Sequence, residues 1–296
     1  MDAWRFITAS LFHYRRVHIA VAMGVAVATA VLTGALLVGD SVSGSLRELT
    51  LQRLGRIDSA LVSGHTFRAA LADELAADAA FKQHFSAAEP AILMTGTLQA
   101  GRGDEVRRAT QVSVIGCRSE FWSFGEADPP NDLAEDHVAL TEPLARELGV
   151  QTGDEVLLRL PIAAAIPADS PLGEKSETST ARRLKVASVL PSEGISRFSL
   201  MPSQHLPRNA FVPLATMQGL LNKPTSANAI LVATNDKQQA ADDEAQSALS
   251  TALRPQLEDY GVRAEQVASP TSYSQFSSDA LVLPAEVVRA AEKVFG

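Results

Sequence analysis

The chain has 296 residues, of which 46% are hydrophobic, 5% aromatic and 20% charged, a composition typical of a folded protein rather than a disordered or low-complexity one. Its 26 basic and 34 acidic residues give a net charge of −8 at pH 7, which argues against a general affinity for nucleic acid phosphates. A single cysteine, Cys117, excludes an intramolecular disulfide framework and multi-cysteine metal sites.

The N-terminal part of the sequence predicts a membrane anchor. Residues 19–38 contain no charge and no proline, and twenty helical residues reach about 30 Å, the thickness of the hydrocarbon core of a bilayer. Arg5, Arg15 and Arg16 against Asp2 give the flank a charge of +2, so the positive-inside rule predicts a cytoplasmic N-terminus. A cleaved signal peptide and a twin-arginine export signal are the alternatives. The length of the apolar segment disfavours the first, and the residues around the arginine pair disfavour the second.

Two amphipathic segments flank this predicted span. Residues 1–18 place apolar side chains such as Trp4 and Leu11 on one helix face, which predicts a cytoplasmic helix at the membrane interface. Residues 39–56 repeat leucine at helical spacing, including Leu49, and predict a stalk helix that leads out of the bilayer. Small residues recur at every fourth position of the span, which favours close packing against other membrane helices.

Beyond residue 56, strand-like and helix-like segments alternate. The pattern predicts strands at 57–64, 91–99, 106–116, 137–140, 155–161, 183–191, 210–214, 228–234 and 262–268, with a hairpin formed by the second and third. It predicts helices at Phe67–Phe85, Glu142–Leu148, Ala215–Leu221, Gln238–Tyr260 with an interruption at Pro255, and Ala285–Phe295. Residues 162–181 are rich in proline, serine and threonine and are predicted to form an exposed loop.

These elements define the predicted fold class as α+β. A single N-terminal transmembrane helix is followed by a mixed α/β extracytoplasmic domain at residues 57–296. The pattern leaves open whether this part forms one domain or two subdomains divided near residues 160–210.

No spaced motif for catalysis or for cofactor binding is present in the sequence. The six histidines, at positions 13, 18, 65, 84, 137 and 205, include no pair four residues apart, and HExxH is absent. Residues 173–176, GEKS, lack the earlier glycine of a phosphate loop, and residues 39–43 lack the closing glycine of a nucleophile elbow. We therefore expect no catalytic, cofactor-binding or metal-binding residues and no enzymatic activity, with Cys117 acting as a buried hydrophobic residue.

Four segments together resemble one known family. They are GDSVSGSLRELTLQRLGRID (39–58), LTEPLARELGVQTGDEVLLRL (140–160), SPLGEKSETS (170–179) and RFSLMPSQHLPRNAFVPLATMQ (197–218). They are similar to the N-terminal part of bacterial FtsX-like permeases, the membrane subunits of ABC transporters that carry a MacB-type periplasmic core domain between their first and second spans. Because such permeases have further spans, we expect the core domain at 57–296 to be incomplete at its C-terminus and the chain to be a fragment. A bitopic relative with one span is the other interpretation.

The resemblance implies a function without bond chemistry. It implies a permease-type subunit in the bacterial inner membrane that couples ATP hydrolysis by a cytoplasmic ABC ATPase to substrate export or other work in the cell envelope. The implied partners are that ATPase, the lipid bilayer, and further transmembrane helices or a second permease copy, with no nucleic acid and no cofactor. The alternative is a bitopic sensor or scaffold whose extracytoplasmic domain binds a ligand.

Overall fold

The computed structural model describes residues 3–101, 105–125, 130, 133–161, 179–201, 205–235, 243–267, 273–278 and 289. The chain divides into two units, which are described separately: residues 1–51 with 202–204, and residues 52–201 with 205–296. The described residues form both helices and strands, and this mixture confirms the predicted α+β class.

Two helices make up the described part of the first unit. Helix α1 covers Ala3–His13, and helix α2 begins at Arg15 and continues past this unit to Leu54. Helix α2 has 40 residues, or about 60 Å of length, and includes both the uncharged segment 19–38 and most of the predicted stalk. The side chains of the uncharged segment are exposed, as for Leu36 at 66%. Among the described helices, α2 is the one that is long and apolar enough to cross a membrane.

The second unit contains ten described strands and five described α-helices. In chain order they are β1 Ile57–Arg68, α3 Ala70–Ala77, α4 Ala79–His84, β2 Phe85–Ala100, β3 Arg107–Cys117, β4 His137–Thr141, α5 Glu142–Leu148, β5 Glu155–Pro161, β6 Ser179–Leu190, β7 Asn209–Pro213, α6 Leu214–Leu220, β8 Ser226–Thr234, α7 Asp243–Ala252, β9 Val262–Val267 and β10 Tyr273–Ser278. Short 3-10 helices lie at Ser119–Phe124, Gly194–Arg197 and Leu257–Tyr260.

Six of these strands close into a barrel. The pairing runs from β2 to β3, β7, β4, β6 and β5, and residues of β5 then pair with the second half of β2. The β3–β7 and β4–β6 pairs are parallel, and the other four pairs are antiparallel. Alternate residues of β5, namely Val156, Leu158 and Leu160, are fully buried in the barrel core, as the two-residue period of a strand requires. Helices α5 and α6 pack against the same core.

The first half of β2 belongs to a second, three-stranded sheet. Its strands lie in the order β1, β8, β2, and both pairs are antiparallel. One side of this sheet is covered by α3, α4 and α7 around residues such as Leu75 and Phe81. The other side packs on a group of aromatic residues that we call the aromatic cluster: Phe121, Trp122, Phe124, Phe198 and Phe211. The long strand β2 therefore joins the sheet to the barrel.

Several predicted elements are found at or near their predicted positions. The hairpin of β2 and β3 is antiparallel as expected, and β5 and α5 have the predicted bounds. Strands β4, β6, β7, β8 and β9 overlap their predicted ranges. Residues 162–178 of the predicted loop and most of the helix predicted at Ala285–Phe295 lie outside the described residues.

The single helix predicted over Phe67–Phe85 is wrong. Strand β1 extends through Arg68, because Phe67 is buried and pairs with Ala227 of β8. The helical residues that follow form two short helices separated by Asp78, whose backbone is extended. The Asp78 carboxylate accepts hydrogen bonds from two backbone N–H groups of α4 and thereby begins a new helix.

The possible division near residues 160–210 is not found. Strand β8 pairs with both β1 and β2, so strands from before and after residues 160–210 share one sheet. Residues 52–201 and 205–296 accordingly form one compact unit. Strand β10, which pairs with β9, was not predicted, and α7 ends at Ala252, before Pro255.

Candidate functional site

The best-defined functional candidate is the connection between α2 and β1, residues 53–56, which we call the α2–β1 joint. All of it lies in the second unit. Helix α2 ends at Leu54, whose side chain packs against the aromatic cluster and its neighbours. Gly55 follows with φ +60°, the left-handed conformation that commonly ends a helix. The sequence signal for this end is the glycine directly after the last leucine of the periodic pattern.

A close backbone approach fixes the joint. A Cβ atom on Gly55 would lie 2.3 Å from the carbonyl oxygen of Phe124, a distance at which the backbone would have to move. The next N–H group, of Arg56, donates a hydrogen bond to the same oxygen at 2.8 Å. Phe124 is itself held by the aromatic cluster, with its ring edge-on to Phe121 at 6.2 Å. The joint therefore packs directly against the buried aromatic cluster.

Arg53 anchors the last turn of α2 within the second unit. Its side chain is buried, with the residue 2% exposed, and Nη2 donates to the carbonyl oxygen of His205 at 3.1 Å. Among the described residues, its Nε atom and that of Arg197 are buried and find no hydrogen-bond partner. Burial lowers the pKa of Arg53, and the positive charge of Arg197 lowers it further. The position in the last helical turn offsets part of this cost, because the C-terminal end of a helix favours a cation.

The strand that leaves the joint is also fixed at its start. Ile57 is buried and pairs with Ala233 of β8. The Asp58 carboxylate accepts hydrogen bonds from the backbone N–H and the hydroxyl of Thr234, at 3.0 and 2.6 Å. The residues that directly follow the joint are therefore tied to β8 by strand pairing and by the Asp58–Thr234 hydrogen bonds.

The far end of β1 is held by an ionic network. The Asp259 carboxylate, nearly fully buried, accepts hydrogen bonds from the backbone N–H, Nε and Nη2 of Arg68 at 3.0, 3.1 and 2.8 Å. Glu74 pairs with the same guanidinium at 2.7 Å. These bonds to Glu74 and Asp259 raise the pKa of Arg68. Strand β1 is thus held at both ends, by the joint and by this network.

Over its described ranges, the structure does not bring the candidate chemical residues together as a catalytic group. No cluster of three or more metal-ligating side chains occurs in the described part of the chain. His65 bonds to Ser63 and to the backbone of Asp259, which is a structural role. Cys117 is buried as predicted, and burial raises the pKa of its thiol, with a further contribution from Glu89. Residues 39–43 lie inside α2 rather than in a strand-to-helix turn, and residues 173–176 lie outside the described residues.

Comparison with known proteins gives one extensive match. The family model described as the MacB-like periplasmic core domain matches residues 19–251, which is most of the chain. No curated protein matches the chain. Among solved structures, the periplasmic region of MacB from Actinobacillus actinomycetemcomitans is similar at 12% identity, over 83% of this chain and 99% of that chain, with a TM-score of 0.41. The extracellular domain of the noncanonic ABC-type transporter YknZ from Gram-positive bacteria is similar at 10% identity, over 65% of this chain and 92% of that chain, with a TM-score of 0.38.

Proposed function

Because the chain belongs to the MacB-like periplasmic core domain family, whose members are components of ABC transporter permeases and not enzymes in themselves, we propose that it transmits movement of its membrane helix to its extracytoplasmic domain. One observation carries the proposal. Helix α2 contains the uncharged segment 19–38 and continues without interruption to Leu54, where the α2–β1 joint begins.

The stiffness of this connection supports the proposal. The residues of α2 beyond Val38 number sixteen and correspond to about 24 Å of helix. A helix of this length resists bending and compression, whereas a flexible linker would absorb a displacement. The joint itself is closely packed, because the Phe124 carbonyl lies against Gly55 and the Arg53 side chain is buried. A shift or rotation of the membrane helix is then delivered to β1 and β8.

In this proposal the energy is supplied by a partner. A cytoplasmic ABC ATPase binds and hydrolyses ATP, and the N-terminal flank with its charge of +2 faces the same compartment. The domain that follows α2 lies outside the inner membrane of a bacterium. Further transmembrane helices or a second permease copy pack against α2, whose faces include exposed small residues such as Gly24 and Gly34, each open on its Cβ side.

The test follows the response of the domain to ATP in native membranes that contain the chain and its ATPase. A reporter thiol is introduced by Val62→Cys on β1, where Val62 is 52% exposed, and the buried Cys117 leaves it as the accessible thiol among the described residues. Its labelling rate is measured with and without ATP and vanadate. We expect the rate to change on ATP binding.

A pair of substitutions at Leu49 then tests helical continuity. Proline inside a helix costs about 3 kcal/mol and kinks it, whereas alanine removes the side chain and keeps the helix. We expect Leu49→Pro to abolish the ATP response and Leu49→Ala to retain it, at equal amounts of membrane-inserted protein. An unchanged ATP response in Leu49→Pro would reject transmission through α2. No response in any variant would favour the sensor or scaffold alternative.

A further inference from the structure

A cleft of about 520 Å³ lies on the outer wall of the barrel, where β5 closes the ring against β2, and it contains two arginine side chains. Its walls come from β2, from the first half of β3, and from the facing ends of β5 and β6. We call it the β3-bulge cleft. The residues that carry the argument are Thr97, Gln99, Arg108, Gln111, Arg159 and Ser179.

The charge of the β3-bulge cleft is opposite to that of the protein. The chain as a whole carries −8, yet the described residues that line this cleft include two arginines and no carboxylate. Arg159 has neither a hydrogen bond from its side chain nor an ion pair within the described residues. The Arg108 guanidinium is held by a neutral partner, because Gln99, with its amide oxygen facing Arg108, accepts from Nε and Nη2 at 2.7 and 2.6 Å. Within the described residues, neither arginine is therefore paired with a carboxylate.

A bulge in β3 opens the cleft. Gly96 of β2 pairs with Val112, and Leu98 pairs with Ala109, so that Thr97 alone faces two residues of β3. One of these two, Gln111, has φ +54°, a conformation that residues other than glycine rarely adopt. Bulges redirect side chains and interrupt the hydrogen bonds between strands, and unusual backbone conformations concentrate at binding sites. The bulge here places the exposed Gln111 amide beside the two arginines in the same cleft.

We propose that the β3-bulge cleft binds an oxyanion, a phosphate or carboxylate group, with Arg108 and Arg159 as its charged contacts. The guanidinium group suits such ligands because its N–H groups donate parallel hydrogen bonds to two oxygens. The Gln111 amide and the hydroxyls of Thr97 and Ser179 supply neutral contacts to the rest of a polar ligand. This site is separate from the α2–β1 joint and does not rest on the proposed function.

The experiment measures anion-dependent stabilisation of the full chain in detergent micelles. The midpoint of thermal unfolding is recorded against increasing inorganic phosphate, glycerol 3-phosphate or citrate, with sodium chloride keeping the ionic strength constant. A ligand that binds the folded state raises the midpoint in a saturable way, and the concentration dependence gives its affinity. We expect saturation with at least one of the three anions. Tighter binding of citrate than of the two phosphates would indicate a carboxylate ligand. Tighter binding of glycerol 3-phosphate than of inorganic phosphate would indicate a lipid headgroup.

Three variants test where the anion binds. We expect Arg108→Gln and Arg159→Gln each to weaken the apparent affinity at least about tenfold, the loss of one charged hydrogen-bonded contact. Arg146→Gln is the matched control, because Arg146 is exposed on α5 and pairs with Glu142 of its own helix. It should bind like the parent chain. Two results would overturn the proposal: no saturable effect of any of the three anions, or equal saturation in the two cleft variants and the parent.

Discussion

Gly55 shows how a single residue fixes the end of helix α2. Its φ of +60° disfavours any side chain, and the Phe124 carbonyl occupies the place where a Cβ atom would lie. We expect Gly55→Ala to lower the free energy of unfolding by more than about 2 kcal/mol, because left-handed strain of about 1–2 kcal/mol adds to the steric clash. Unfolding in urea, followed on the full chain in micelles, measures this loss.

A second glycine, Gly153, distinguishes the cost of backbone strain from the cost of the steric clash with Phe124. Gly153 also has a positive φ, of +98°, but no atom lies within 4 Å of the place where its Cβ would be. Gly153→Ala therefore carries the strain without the clash and should cost clearly less than Gly55→Ala. Equal losses in the two variants would mean that the approach of Phe124 does not constrain the joint.

Glu89 makes the stability of the domain depend on pH. This residue of β2 is half-buried, and its Oε2 atom is buried with no hydrogen-bond partner in the part of the chain that the structure describes. Burial raises its pKa to about 7, with smaller contributions from the negative charges of Glu120 and Asp73 and an opposing one from Arg118. Because the folded state holds this proton more tightly than the unfolded chain, the stabilisation is present below the unfolded pKa of about 4.5 and is lost as the pH rises through 7.

Removing this charge should therefore stabilise the protein at high pH. We expect Glu89→Gln to raise the urea midpoint at pH 8 relative to the parent and to flatten the decline between pH 5 and pH 8. Glu244→Gln, at an exposed position of α7, is the control and should leave the profile unchanged. A parallel pH profile in the parent chain and Glu89→Gln would show that Glu89 is not the group that titrates.

At the scale of elements, local signals predict local structure. Strand β5 and helix α5 begin where predicted because a turn at Gly153 directly precedes the strand and a proline lies in the first turn of the helix. The hairpin of β2 and β3 follows from alternation on both sides of a glycine-rich turn. In these segments neighbouring residues alone determine the structure.

The errors arise where distant residues decide the structure. Residues 67–68 lie in an alanine-rich segment that resembles a helix, yet pairing with β8, about 160 residues later, keeps them extended. The closure of the barrel depends on pairing of β5 with β2, which no short segment of sequence encodes. The role of Arg53 was missed for the same reason, since its partner, the carbonyl of His205, is far away in the chain. The sequence signal for the joint is Gly55, a glycine directly after the leucine repeat, which is typical of a helix end.

At the scale of the whole molecule, charge is distributed unequally along the chain. The residues before Asp40 carry +2, so the rest of the chain carries −10 of the total of −8. Basic residues before a span favour retention on the cytoplasmic side, and an acidic domain after it stays soluble on the other side. This asymmetry agrees with the proposed topology, in which the N-terminus is cytoplasmic and the domain is extracytoplasmic.

The apolar side chains of residues 19–38 favour membrane insertion of α2, and one charge at the helix centre would cancel most of that free energy. Residues 19–38 contain nine leucine, isoleucine or valine residues, which together favour insertion by roughly 3–5 kcal/mol, while the remaining residues are mostly alanine, glycine and threonine. A charge at the helix centre costs about 2.5–3.5 kcal/mol and offsets most of this gain. We expect Ala28→Arg to reduce membrane integration markedly and Ala28→Leu to preserve it, as measured by resistance to alkaline carbonate extraction. Protease added outside spheroplasts should digest the domain after Asp40 in the parent and in Ala28→Leu. Complete extraction of the parent chain by carbonate, or protection of that domain in spheroplasts, would contradict both the span and its orientation.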